Sequence, residues 1–184
     1  MKNINTHFNK QYFESRKHIA WRGDVVAQAI IDSFKPESVV DVGCSIGDIV
    51  AGLQKAGVQT VRGIDGAFEA DRQYVGPPES FVYRDMRKAK GISTGVFKLC
   101  VCFEVFQYIE PQYHQTFIRN LQRLSSKILI SVPEELEPEV ELHMVSNRFR
   151  KKDISAFKAQ LEHLKSKPAI KGIYHNSMYF EKRV

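Results

Sequence analysis

The feature that most constrains the fold of this chain is an apolar run that leads directly into a glycine-rich turn. Residues 38–42, Ser-Val-Val-Asp-Val, have the β-branched composition of a buried strand, and Gly43 and Gly47 follow them. A second run of this kind, residues 60–64, precedes Asp65. The residues between them have helical spacing, so the stretch predicts a strand–helix–strand unit of a parallel sheet. Ligands bind beyond the carboxyl ends of the strands in such sheets.

The spacing of the glycines separates two classes of cofactor. A dinucleotide fingerprint needs Gly-x-Gly-x-x-Gly, so that the backbone can approach a pyrophosphate, and here Ser45 stands in place of its second glycine. Asp41, at the end of the first strand, would repel a pyrophosphate and attract a cationic ligand. These residues disfavour a nicotinamide cofactor and favour one that carries an ammonium and a sulfonium group.

Residues 41–47, Asp-Val-Gly-Cys-Ser-Ile-Gly, resemble the first motif of the class I S-adenosylmethionine-dependent methyltransferases. That motif has the form acid-hydrophobic-Gly-x-Gly-x-Gly, and only its middle glycine is replaced here, by Ser45. The resemblance implies an α/β fold, a Rossmann-like and mostly parallel sheet with helices on both faces and an antiparallel C-terminal hairpin. It also implies that S-adenosyl-L-methionine is the cofactor.

An acidic residue stands at the end of each of the first four predicted strands: Asp41, Asp65, Asp85 and Glu104. A single acid at such a position is more often a helix cap. Four in succession lie at one edge of a parallel sheet, because the carboxyl ends of its strands meet there. This edge is therefore the predicted site.

The resemblance implies roles for these residues. Asp65 would accept hydrogen bonds from both ribose hydroxyls, and Gly66 would let the backbone approach the ribose. Asp85 would accept from the adenine amino group, the Met86 amide would donate to a ring nitrogen, and Asp41 would orient the methionine ammonium. The predicted cofactor-binding residues are Asp41, Gly43, Cys44, Gly47, Asp65, Gly66, Asp85, Met86, Phe103 and Glu104.

A second motif follows the fourth predicted strand. Residues 103–109, Phe-Glu-Val-Phe-Gln-Tyr-Ile, resemble the Glu-Val-x-Glu-His-Ile signature of many small-molecule methyltransferases. Gln107 and Tyr108 replace its Glu-His pair, which a related RNA 2′-O-methylating family uses to bind a metal. No metal site is therefore predicted.

The general base is predicted only as a choice between two residues, His143 and Tyr108. An oxygen or nitrogen nucleophile can lose a proton to such a base during methyl transfer. His143 follows the fifth predicted strand, although a lone histidine is more often structural. Tyr108 is the other candidate, and the wall of the pocket is its alternative role.

The absence of two motifs disfavours two classes of methyl acceptor. Residues 103–106 occupy the place where amino-directed nucleic-acid enzymes carry Asp/Asn-Pro-Pro-aromatic. Cys100 and Cys102 lie inside a predicted strand, whereas cytosine C5 enzymes need a Pro-Cys nucleophile beyond it. The favoured acceptor is an oxygen or nitrogen of a small molecule or sugar.

Two alternatives stay open beside this interpretation. One is a non-catalytic module that binds the cofactor without turnover, which the replaced Glu-His pair favours. The other is a methyltransferase directed to RNA through a basic C-terminal region, since residues 143–184 contain ten Lys or Arg and three Asp or Glu. Nucleic acid is possible as a partner but not favoured.

The chain of 184 residues is predicted to form one methyltransferase domain. Residues 1–35 would form an arm and helical lid, in which Tyr12 and Phe13 either cover the cofactor or pack on the sheet. Residues 36–133 would form the cofactor-binding core, and residues 134–184 a lid, a helix and the closing hairpin. The predicted helices are 15–34, 47–56, 111–124 and 154–164, and the predicted strands are 38–42, 60–64, 81–84, 96–103, 128–132, 169–174 and 178–182.

The composition also indicates the cellular environment in which the protein is expected. No run of about 18 apolar residues is present, so no membrane span is expected. Three cysteines, an odd number placed in a turn and a strand, fit reduced thiols in a cytoplasmic protein.

Overall fold

Seven strands build one sheet in the part of the chain that the structure describes. The structure is a computed structural model that describes Asn5, residues 8–88 and 97–131, and the backbone of two later strands. The strands are β1 (Ser38–Val42), β2 (Thr60–Asp65), β3 (Phe81–Tyr83), β4 (Leu99–Phe103), β5 (Lys127–Ser131), β6 (Leu164–Lys167) and β7 (Ser177–Lys182).

The sheet has the order β3-β2-β1-β4-β5-β7-β6. Strands β1 to β5 are parallel, and β7 is antiparallel to both β5 and β6. Asp41 lies beside Gly63 of β2 on one side and Val101 of β4 on the other. The carboxyl ends of β1, β2 and β4 are therefore neighbours, and the predicted Rossmann-like sheet is confirmed.

The closing pair of strands is β6 and β7. The structure places β6 at Leu164–Lys167, with Leu164 opposite Lys182 and Lys167 opposite Tyr179, and the strand predicted over 169–174 lies outside the described residues. Pro168 follows β6 directly and has no N–H to donate to a strand ladder. The strand therefore ends before the proline. The helix predicted over 154–164 lies outside the described residues, except that Leu164 is in β6.

The helices are α1 (Lys10–Lys17), α2 (Arg22–Phe34), α3 (Asp48–Lys55), α4 (Phe68–Arg72) and α5 (His114–Leu124). The prediction of one helix over 15–34 is wrong, because a tight turn separates α1 from α2. The N–H of Arg22 donates to Ile19 O at 2.9 Å, three residues back. At the start of α2, a side chain on Gly23 would lie 2.2 Å from Asp48 O, so α2 packs closely on α3.

Alternation along the strands builds a core on each face of the sheet. Val40 and Cys100 pack with Phe117 of α5 on one face. Val39 and Val101 pack with Leu53 of α3 on the other. Successive strand residues point to opposite faces, so helices cover both sides. Among the described residues, no helix has the length and apolar character needed to cross a membrane.

Candidate cofactor site

A cleft opens where the carboxyl ends of the parallel strands meet. Its empty volume is about 660 Å³, part of it open to solvent. Predicted and unpredicted residues both line it: Phe8, Tyr12, Phe13, Val42, Gly43, Ser45, Ile64, Asp65, Gly66, Arg84, Asp85, Met86, Arg87, Glu104, Val105, Tyr108, Ile109 and Phe117.

The glycine turn after β1 supplies backbone to this cleft. Gly43 and Ser45 have φ of 78° and 53°, in the left-handed region that favours glycine. The N–H groups of Gly43 and Cys44 donate to Ile64 O at 2.7 and 3.2 Å, which ties the turn to β2. A Cβ on Gly43 would lie 2.1 Å from Val105 Cγ2, so the turn is packed too closely for a side chain.

Asp65, at the end of β2, presents a half-buried carboxylate beside that turn. Its Oδ2 accepts from Ser45 N at 3.0 Å and its Oδ1 accepts from Ala67 N at 2.8 Å. Burial raises the pKa of Asp65 to about 6, although backbone N–H donors, including Gly66, oppose this shift. Each carboxylate oxygen retains acceptor capacity, so Asp65 can bind two further hydroxyl donors.

Four predicted residues are not among those that line the cleft. Cys44 and Phe103 are buried in the core on the α3 face of the sheet, and a side chain on Gly47 would meet the ring of Tyr74 at 2.1 Å. Asp41 is only 3% exposed. Its burial and the negative charges of Asp48 and Asp65 raise its pKa well above the usual range. We therefore expect these four residues to support the glycine turn and not to contact the cofactor.

Asp85 and Met86 line the cleft beyond β3. Burial opposes the ionisation of Asp85, but hydrogen bonds and charge from Arg87 lower its pKa below the usual range. Asn120 of α5 donates to Met86 O at 2.9 Å. Arg87 also lines the cleft and was not predicted, because one of its two carboxylate partners, Glu110, lies 23 residues away in the sequence.

Glu104, directly after β4, has a left-handed backbone with φ of 56°. Its Oε1 accepts from Ser131 Oγ at 2.8 Å, and its Oε2 accepts from Gln107 Nε2 at 3.2 Å. Burial raises the pKa of its carboxyl. Strained backbones that the surrounding structure holds in place are typical of functional sites.

The structure describes only one of the two candidate bases, Tyr108. Tyr108 lines the cleft and its ring makes a T-shaped contact with Phe8 at 5.0 Å. Burial raises the pKa of Tyr108 to about 12, so its hydroxyl stays protonated at neutral pH. This favours the wall of the pocket over a base. His143 lies outside the described residues.

Helix α1 and Phe8, two residues before its first residue, supply an aromatic wall. Phe8 makes a T-shaped contact with Tyr12 at 5.0 Å, and Tyr12 makes another with Phe13 at 5.0 Å. All of them line the cleft, and Phe13 is buried. Tyr12 and Phe13 therefore line the cleft, and Phe13 also packs with Ala67 and Ala70. That they cover the cofactor stays a prediction. Trp21, by contrast, is 64% exposed.

Within residues 8–88 and 97–131, no group of three or more His, Cys, Asp or Glu side chains is arranged to hold a metal ion.

Comparison with known proteins gives structural matches only. No protein-family model and no curated protein matches the sequence. A protein of Methanococcus maripaludis, described as an S-adenosyl-L-methionine-dependent methyltransferase, is 16% identical with a TM-score of 0.68, and 99% of this chain and 97% of that one are covered. The chain has the class I methyltransferase fold.

Other structures with this methyltransferase fold are similar over most of the chain. A Nostoc punctiforme protein described as an O-methyltransferase is 11% identical with a TM-score of 0.66; 94% of this chain is covered, but only 59% of that protein. The N-terminal domain of EvdMO1, crystallised with S-adenosylhomocysteine and D-fucose, is 12% identical with a TM-score of 0.61, over 88% of this chain and 83% of that one.

Ser45 departs from the glycine of the methyltransferase motif, and we expect this to lower stability. Its Oγ is buried without a hydrogen-bond partner among the described residues, and its φ is positive. Ser45→Gly is expected to raise the free energy of unfolding by about 1 kcal/mol or more, because it removes the backbone strain and the unpaired hydroxyl. Urea denaturation measures the change.

Lys35→Gly is the matched control for Ser45→Gly. Lys35 also has a positive φ, 45°, but stands at the end of α2 and does not line the cleft. Its replacement relieves only the backbone, so its gain should be smaller. A Ser45→Gly protein no more stable than the wild type would contradict the account of strain at this turn.

Proposed function

We propose that this protein is an enzyme that transfers the methyl group of S-adenosyl-L-methionine to an oxygen or nitrogen of a small molecule or sugar. The observation that carries the proposal is the pairing of a glycine turn with a half-buried carboxylate. Gly43 leaves no room for a side chain, and Asp65 is hydrogen-bonded to the same turn through Ser45 N. A nucleoside ribose needs a close backbone and a carboxylate of this kind.

The lining residues fit the parts of the cofactor. Asp65 would bind the ribose diol with its remaining acceptor positions, and the Gly43 backbone would lie along the methionine portion. Asp85 and the Met86 amide would bind the adenine. The N-terminal domain of EvdMO1 was crystallised in the presence of D-fucose, which supports a sugar as one acceptor class to test here.

The chemistry depends mainly on positioning. The cofactor supplies an electrophilic methyl group on a sulfonium. The chain holds the acceptor in line with it, and good orientation can supply about 7–11 kcal/mol of the barrier. The aromatic wall of Phe8, Tyr12 and Tyr108 would exclude water from that end of the cleft.

Glu104 is the described group best placed to receive a proton from a hydroxyl or amine acceptor. It lines the cleft, and burial raises its pKa towards neutrality. Ser131 and Gln107 hold its two oxygens, so the carboxylate has a defined orientation. His143 stays a predicted base.

A binding module without turnover is the second candidate. It is favoured by Gln107, which stands in place of a glutamate of the motif and donates from its side-chain amide to Glu104. Both candidates require cofactor binding, but only the enzyme transfers a methyl group.

Calorimetric titration and a transfer assay test the proposal in sequence. We expect heat on addition of S-adenosylhomocysteine and none on addition of NAD⁺. We then expect radiolabelled methyl from S-adenosyl-L-methionine to appear in at least one member of a panel of sugars, phenols and amines. Binding without any transfer would favour the module, whereas NAD⁺ binding without S-adenosylhomocysteine binding would overturn both.

A further inference from the structure

Arg87 is a buried arginine that joins two carboxylates at the cleft. Its Nε donates to Asp85 Oδ1 and its Nη2 to Asp85 Oδ2, both at 2.9 Å. Its Nη1 donates to both carboxylate oxygens of Glu110 at 3.1 Å. The exposed fractions of the Arg87, Asp85 and Glu110 side chains are 6%, 15% and 10%. The three groups therefore form one largely desolvated network.

This network leaves Asp85 with one defined acceptor position. Asp85 Oδ1 accepts from Arg87 Nε and also from Arg87 N at 3.0 Å, whereas Oδ2 accepts only from Nη2 among the described residues. A carboxylate oxygen offers about two acceptor positions. Oδ2 thus retains one, and the planar guanidinium fork holds the carboxylate plane in place.

A second contact holds the same turn. Asn120 of α5 is only 1% exposed. Its Nδ2 donates to Met86 O and to Lys88 O, both at 2.9 Å. Residues 85–88 are therefore held by a side chain of α5 and by Glu110, which precedes that helix. This leaves the turn little freedom to move when a ligand binds.

A contribution to the stability of the fold does not by itself explain this buried ionic network. Replacing buried ion pairs by apolar groups is often neutral or stabilising, because desolvation offsets their attraction. Arg87 and Asp85 line the cleft that contains the glycine turn, so the network orders a carboxylate that a ligand can reach. Such preorganisation favours binding because the ligand does not have to order the group.

We infer that Arg87 and Glu110 are positioning residues that orient Asp85 Oδ2 to accept from the exocyclic amino group of the cofactor's adenine. The inference rests on the proposed function. Its consequence is specificity: the cleft should distinguish adenine from a purine that carries an oxygen in place of that amino group. An oxygen at this position would face the carboxylate without a proton to donate.

The test compares calorimetric affinities for S-adenosylhomocysteine and S-inosylhomocysteine. We expect the wild type to prefer the adenine ligand by about tenfold or more, the range for a hydrogen bond to a charged group. Arg87→Lys keeps the charge and loses the fork, and Glu110→Gln keeps an acceptor for Nη1. Both should reduce the preference severalfold, mainly by weakening the adenine ligand. Arg119→Lys, on the exposed side of α5, should leave it unchanged.

The possible results of this experiment distinguish failure of the inference from failure of the proposed function. A wild type that binds neither ligand overturns the proposed function, and the inference with it. A wild type that binds S-adenosylhomocysteine, with a preference unaltered in both variants, overturns the inference alone. Equal weakening of both ligands would show a merely structural network and would also overturn it. Glu110→Gln provides the measurement if Arg87→Lys does not fold.

Discussion

Asp65→Asn is expected to weaken the binding of S-adenosylhomocysteine by about a hundredfold or more. The wild-type carboxylate accepts from Ser45 N and Ala67 N and has positions left for two ribose hydroxyls. Two hydrogen bonds to a charged group contribute about 3–6 kcal/mol, and each 1.4 kcal/mol corresponds to about tenfold in affinity. Isothermal titration measures the loss. Asp71→Asn, on the exposed side of α4, is the control and should bind normally.

The same variant should remove a pH dependence. Burial raises the pKa of Asp65 to about 6, and the ionised carboxylate accepts hydrogen bonds from the ribose hydroxyls more strongly than the protonated carboxyl does. Wild-type affinity should therefore be constant well above that pH and fall as the pH is lowered through it. The Asp65→Asn protein should lack this component. If the variant binds like the wild type at every pH, the ribose does not lie at Asp65.

Gly43→Ala is expected to destabilise the fold by about 2–4 kcal/mol and to abolish cofactor binding. A methyl group there would lie 2.1 Å from Val105 Cγ2, and the φ of 78° disfavours any residue with a Cβ. The left-handed conformation costs about 1–2 kcal/mol and overpacking about 1–3 kcal/mol. Val105 lines the cleft, so its displacement also changes the site. Urea denaturation and titration with S-adenosylhomocysteine measure the two effects.

Gly57→Ala separates these two contributions. Gly57 has a similar φ, 92°, but an added Cβ would meet nothing within 4 Å. It should show only the backbone cost, about 1–2 kcal/mol. The double variant Gly43→Ala, Val105→Ala should recover part of the steric cost. If Gly43→Ala is no more destabilising than Gly57→Ala, close packing of the turn on Val105 is not significant.

Most of the sheet was predictable because its signals are local. The bounds of β1 agree with those predicted, and β2 and β5 agree within one residue at either end. A buried strand is an apolar run, and a glycine that must adopt positive φ marks the end of β1.

The helix predicted over 15–34 was wrong because apolar spacing continues through residues 18–21, where the chain turns. Periodicity does not detect a break that preserves the spacing.

The site was predictable where a residue's position follows from its own strand. Gly43, Asp65 and Glu104 stand at the carboxyl ends of β1, β2 and β4, and all line the cleft. Cys44 and Phe103 were expected there as well, but they are buried in the core. The side chains of adjacent residues on a strand or turn point in opposite directions. A position next to a cleft residue in the sequence therefore did not place Cys44 or Phe103 in the cleft.

The sequence by itself determined the parallel sheet, the glycine turn and the row of acids along one edge, because each depends on residues a few positions apart. Only the tertiary structure decided which side chains meet across that edge. The contact of Phe8 with Tyr108 joins the N-terminal segment to the region after β4, and the Arg87–Glu110 pair joins two segments 23 residues apart. Such contacts depend on how α1 and α5 pack on the sheet, and no local pattern records that packing.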